Sequence, residues 1–183
     1  MSRHLEKILA HAERELAAAG AQRPTDVLPV YRKFLKIEEH RLRLRQRAGD
    51  GGREVCARRV DLIDVLLRHV FSAANHVVNN RNGSSPLAVV ALGGYGRREL
   101  NPCSDVDVMF LHREQGRGIS KETSQVIEQV LYLLWDIGFK VGHSTRTIKE
   151  AIAAANADMV TKTAMLESRL VTGDRRLEQK FRQ

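Results

Sequence analysis

The chain has 183 residues, 43% hydrophobic and 28% charged, with a formal net charge of +8. That is the size of one domain, or of one domain with a helical extension, and at this length roughly 70% of the unfolded surface is hidden without covalent staples. The two cysteines, Cys56 and Cys103, give neither a disulfide framework nor a zinc-knuckle spacing, and no apolar run approaches the ~20 residues of a membrane span.

The first third is helical in pattern. Leu5, Ile8, Leu9 and Ala12 recur at helical spacing in residues 4–19, with Gly20 as a stop. A second helix is predicted from Asp26 to about Arg47, between Pro24 and the glycine break at 49–52. A third runs from about Arg53 to Asn79, with Val60, Ile63, Leu66, Leu67 and Val70 on one face. Residues 79–86 ("NNRNGSSP") form a loop by composition. Much of the positive charge lies in residues 40–59 ("HRLRLRQRAGDGGREVCARR"). Such a run reads first as a solvated helix face. The overall charge of +8 invites an anionic partner, although no aromatic residues are interleaved with the basic run to stack nucleic-acid bases.

The texture then changes. Residues 87–93 ("LAVVALG") and 105–112 ("DVDVMFLH") read as strands, and "REQGRGIS" as a loop. Ser120 caps a helix running to about Ile137, in which Trp135 with Leu131, Leu133 and Leu134 reads as core. Residues 138–146 alternate enough for a third strand. Thr147 and Glu150 fit a capping box opening a helix through Ala155. Asp158 caps the next helix, which Gly173 ends, and "DRRLEQKFRQ" starts another. The fold class is α+β: a helical N-terminal region over 1–80, a sheet-bearing core over 87–175, and the start of a C-terminal helix over 176–183.

Chemistry concentrates in "ALGGYGRRELNPCSDVDVMFLH", residues 91–112. Alternation on a strand puts Asp105 and Asp107 on one side, their Cβ atoms roughly 6–7 Å apart, with Val106 and Val108 on the other. Two carboxylates that close repel unless a cation intervenes. Magnesium takes one or two carboxylates and completes its shell with water and phosphate oxygens. Alone, D-x-D is common, and Asp107 on a solvated face is the plainer reading. Gly93 and Gly94 permit positive φ and close backbone approach, so main-chain N–H groups can face a phosphate. Arg97 and Arg98 stand ready for charge-assisted bonds. A plain turn with an Arg–Glu pair explains the glycines alone equally well, and the run is neither a dinucleotide fingerprint nor a Walker loop.

The combination of strand, Gly-Gly, spacer and D-V-D-V resembles the nucleotidyltransferase superfamily typified by DNA polymerase beta. "GGYGRRELNPCSDVDVMFL", "LLWDIGFKVGHSTRT" and "TAMLESRLVTGD" together look like the N-terminal part of the bacterial PII uridylyltransferase (uridylyl-removing enzyme) family. "YRKFLKIEEHRLRLR" and "RRVDLIDVLLRHVF" resemble its helical lead-in. The resemblance implies a small polymerase-beta-like sheet flanked by helices, with transfer of UMP from UTP to a tyrosine hydroxyl of the PII signalling protein in nitrogen regulation. It further implies Mg2+ on Asp105 and Asp107, and the triphosphate on Gly93 and Gly94 with Arg97 and Ser104 as helpers. A cytoplasmic setting is expected separately, from two cysteines that read as reduced thiols and from a polar, charged stretch over Met1 to Leu9.

The chain departs from the pattern in three places. The strand "GFKVGHSTR" holds no third carboxylate, leaving Asp136 and Glu167 as substitutes. Arg98 stands where the family often has glycine, so an outward side chain is expected there. The HD and ACT domains of the full family enzyme, for uridylyl removal and glutamine sensing, are not in these 183 residues, so a fragment or truncated form is expected. His143 reads as a structural histidine bonded to backbone rather than a catalytic one. A related adenylyltransferase, or a nucleotide- or PII-binding module without turnover, remains an alternative. Specific nucleic-acid binding ranks last.

Overall fold

The computed structural model describes residues 3–79, 85–113 and 118–183. The loops expected at 79–86 and 113–120 therefore lie largely outside the described residues. Helix α1 (Arg3–Leu16) is followed by two 3₁₀ turns (Ala17–Ala21 and Pro24–Val27), then α2 (Leu28–Arg47) and α3 (Gly52–Val78). Strand β1 (Leu87–Ala91) leads through the one-turn helix α4 (Gly93–Gly96) to β2 (Val106–His112). Helix α5 (Lys121–Asp136), β3 (Val141–Arg146), α6 (Ile148–Ala157), α7 (Met159–Leu166), β4 (Arg169–Gly173) and α8 (Arg175–Phe181) complete the order. Among the described residues no helix is long and apolar enough to cross a membrane.

Among the described residues the strands form one sheet in the order β3-β2-β1-β4. β1 is antiparallel to both β2 and β4, whereas β2 and β3 run parallel. Alternation gives each face its own helices. Val89, Ala91, Val106, Val108 and Phe110 share one apolar core with α1, α2, α3 and α5. Ala88, Val90, Met109 and Leu111 meet Ala151 of α6, Met165 of α7 and Leu177 of α8 on the other face. At about 25 cal/mol per Å² of apolar surface, removing both faces from water is the main favourable term holding the layers.

Local capping matches the sequence pattern. The Ser120 side chain accepts from the Thr123 amide at 3.1 Å. Thr147 and Glu150 make the reciprocal capping box, at 3.2 Å and 2.7 Å. Asp158 accepts from the Thr161 amide at 2.7 Å. These bonds satisfy amides that a helix start leaves unpaired.

Three expectations are corrected. The helix capped by Asp158 does not run to Gly173: α7 stops at Leu166, and Arg169–Gly173 is strand β4 on the sheet edge. Gly173 lies so close to β1 that a Cβ there would fall 2.2 Å from the Leu87 carbonyl oxygen, and its φ is +96°. Trp135 is not core. Leu131, Leu133 and Leu134 are buried, but Trp135 falls off the apolar stripe and is 42% exposed beside Tyr132. His143 is an exposed side chain on edge strand β3, its ring meeting Trp135 edge-on at 5.6 Å rather than bonding backbone.

Candidate functional site

The glycine turn is fixed from beneath. The Leu92 amide bonds the Asp107 carbonyl at 2.9 Å, which ties the end of β1 to β2. The turn's own bonds begin with Gly96 N–H to Leu92 O, so the amides of Gly93 and Gly94 precede its ladder. Gly93 has φ +51° with open space where a side chain would stand. Gly96 has none: a Cβ would fall 2.1 Å from the Glu167 carbonyl oxygen and 3.1 Å from that of Ala91. Of the three glycines in the turn, Gly96 thus serves packing, and Gly93 and Gly94 leave backbone accessible.

Tyr95, between them, is buried and anchors the turn to α3. Its hydroxyl donates to Asp64 at 2.8 Å. Arg169 of β4 clamps the same carboxylate through two nitrogens, at 2.7 Å and 3.0 Å. Its guanidinium also lies 5.4 Å from the centre of the Tyr95 ring. Burial, then the charge of Asp64, push the Tyr95 hydroxyl well above its ordinary pKa, which keeps it a donor. Arg98, at φ +66°, is exposed as expected, yet its guanidinium does not stand free. It folds back and bonds Asp61 of α3, with a second nitrogen 4.0 Å from Asp64.

The carboxylate pair stands on the strand next to this turn. Asp105 immediately precedes β2 and Asp107 lies within it; both are exposed, while Val106 and Val108 are buried. Neither carboxylate has an ion-pair or hydrogen-bond partner among the described residues. Burial and then the charge of Asp105 raise the Asp107 pKa above the usual carboxylate value. An uncompensated pair of this kind, open to solvent, suits Mg2+, for which Asp105 and Asp107 would be the protein ligands. Among the described residues no group of three or more histidines, cysteines or carboxylates gathers around a point. Remaining ligands would come from water and phosphate.

Ser104 is exposed at the end of the turn before Asp105, its amide bonded to Asn101 O at 3.1 Å. Arg97 is exposed beside the glycines, bonded to Glu99 at 3.0 Å and by a shorter contact to Glu167. Of the two substitute carboxylates, only Glu167 comes to the turn, where Arg97 holds it. Asp136 ends α5 on the opposite face of the sheet.

The parallel pairing of β2 with β3 adds residues the sequence did not single out. Asp107 is in register with Gly142, Met109 with Ser144 and Leu111 with Arg146, so these β3 residues share the Asp107 face. With Leu92 and with Val160, Thr161 and Met165 of α7 they line a groove of about 260 Å³. Nη1 of Arg146 is buried and lacks a hydrogen-bond partner among the described residues. Alternation along "VGHSTR" carried a signal for this grouping, but the strand order was needed to read it.

A small mixed sheet with a glycine turn after one strand and a carboxylate pair on the next defines a nucleotidyltransferase fold of the polymerase-beta type. Residues 3–134 match the family model for glutamate-ammonia ligase adenylyltransferase, and the chain belongs to that family of nucleotidyltransferases. It is also 41% identical over 177 residues to the bifunctional uridylyltransferase/uridylyl-removing enzyme of Erythrobacter litoralis, covering 93% of this chain and 19% of the relative. The protein of the same name from Rhodospirillum rubrum is 44% identical over 116 residues, 63% of this chain and 12% of its own length. The chain thus spans less than a fifth of the length of each of these relatives.

Proposed function

We propose that this chain carries out nucleotidyl transfer from UTP to a tyrosine hydroxyl of the PII signalling protein. The observation that carries the reading is the pairing of β1 with β2, which sets the Gly93–Gly94 backbone beside Asp105 and Asp107. In the reaction the tyrosine oxygen bonds to the α-phosphorus of UTP, the bond from that phosphorus to the bridging oxygen breaks, and pyrophosphate leaves. The hydroxyl proton passes to solvent. The acceptor supplies the nucleophile, so the chain's own residues position and neutralise. Gly93 and Gly94 accept close approach of the triphosphate, and Arg97 and Ser104 add donors at its edge. Asp105 and Asp107 would hold magnesium, which when bound neutralises charge on the phosphates. Similarity to the two uridylyltransferase/uridylyl-removing enzymes supports uridylyl transfer and the PII acceptor.

Adenylyl transfer is the second reading, favoured by the family model's description. One assay separates them. The protein is incubated with magnesium, purified PII and α-labelled UTP or ATP. Label from UTP on a PII tyrosine, lost in Asp105→Asn/Asp107→Asn, is expected. Label from ATP alone would replace the uridylyl reading. No label from either nucleotide, with binding intact, would leave a nucleotide-binding module.

A further inference from the structure

The basic run at residues 40–59 plays no part in the site above. Folded, it spans the end of α2 and the start of α3, and forms one side of a groove of about 760 Å³ whose other side is α1. Six cations line that groove: Arg3, Lys7, Arg41, Arg45, Arg58 and Arg98. Three carboxylates share it, and each is already held. Glu38 sits 2.5 Å from both His11 and Arg41, Glu54 bonds Arg58, and Asp61 bonds Arg98. Arg3, Lys7 and Arg45 have no carboxylate partner among the described residues. Nε2 of His4, also in the lining, is buried and has no hydrogen-bond partner among the described residues.

We propose that this groove is a second anion site, distinct from the glycine turn, that binds a phosphate-bearing small molecule. Its volume falls in the range of roughly 300–1,000 Å³ typical of small-molecule sites. Leu5 and Leu44 offer an apolar wall for the part of the ligand that is not phosphate. Unpaired guanidinium and ammonium groups supply the charge-assisted donors. Arg98 gives the site a consequence. Its side chain lines the groove while its backbone directly follows Arg97 in the glycine turn, so occupancy here bears on the nucleotide site, and the effect is reciprocal.

The test is calorimetric titration of inorganic triphosphate, at fixed ionic strength with EDTA present, into the whole chain. Omitting divalent metal leaves Asp105 and Asp107 repelling anions at the other site. Arg3→Ala/Lys7→Ala/Arg45→Ala, three exposed positions, should weaken binding roughly tenfold or more, and Arg45→Glu alone should act in the same direction. Lys149→Ala/Arg176→Ala/Lys180→Ala, in the separate cationic groove between α6 and α8, should leave affinity unchanged. Equal losses in both triple variants would show diffuse attraction to a positive chain. That result, no binding by wild type, or full binding by the first triple variant overturns the proposal.

Discussion

The carboxylate of Asp107 occupies the space that a side chain at Gly142 would need. A Cβ at position 142 would fall 2.1 Å from Asp107 Oδ1, and the two residues are direct partners across the parallel β2–β3 pair. The obstructing atom is the free end of a side chain, so Gly142→Ala has an easy escape: the carboxylate swings away. The expected outcome is a small stability change, within about 1 kcal/mol, with a large loss of magnesium-dependent nucleotide binding. Thermal melts and a binding titration on the same variant check both halves.

Gly96 behaves oppositely because its obstructions are backbone. Gly96→Ala must separate the turn from the Glu167 and Ala91 carbonyls, and overpacking of this kind costs about 1–3 kcal/mol. Gly93→Ala meets no atom but holds an unfavourable φ, worth about 1–2 kcal/mol. Urea titrations should rank Gly96→Ala as the more destabilised, whereas Gly93→Ala should show the greater fall in nucleotide affinity relative to its stability loss.

Asp64 joins the helical region to the glycine turn. It is buried, with Tyr95 and Arg169 both bonded to it. Asp64→Ala leaves Arg169 without its counter-charge, a change that typically costs about 3–5 kcal/mol. Tyr95→Phe removes one bond to a charged acceptor and should cost about 1.5–3 kcal/mol. Denaturant unfolding measures both. If Asp64→Ala proves milder than Tyr95→Phe, the hub is not what anchors the turn.

Asp107 should also reveal its electrostatic position without nucleotide. Asp107→Asn removes a partly desolvated charge and its repulsion with Asp105. In metal-free buffer it should raise the melting temperature by roughly one degree, less than the ~2–4 °C that a full kcal/mol would give. Magnesium should raise the melting temperature of wild type and not that of the variant.

Much of this was legible in the sequence because the signals are local. Ser120, Thr147 with Glu150, and Asp158 each announce a helix start through a bond spanning three residues. The D-V-D-V alternation matches the exposed, buried, exposed, buried order of Asp105 to Val108. What was missed depends on distant pairing. Strand β4 is a five-residue run directly after a helix, too short for periodicity to separate from that helix. Ser144 and Arg146 join the Asp107 face only because β3 lies parallel to β2. Asp64 is 31 residues from Tyr95 and 105 from Arg169, so no local pattern could have linked them. Trp135 shows the limit of reading apolar residues as core, since its position on α5 turns it toward the surface and His143.

The most direct measurement is UTP binding by calorimetry, with and without magnesium, on wild type and on Asp105→Asn/Asp107→Asn. Magnesium-dependent binding that the double variant loses is the expected result. A well-folded wild type that binds no UTP, or a double variant that binds as wild type does with magnesium, would contradict the assignment of these aspartates as the metal-binding pair of a nucleotidyltransferase.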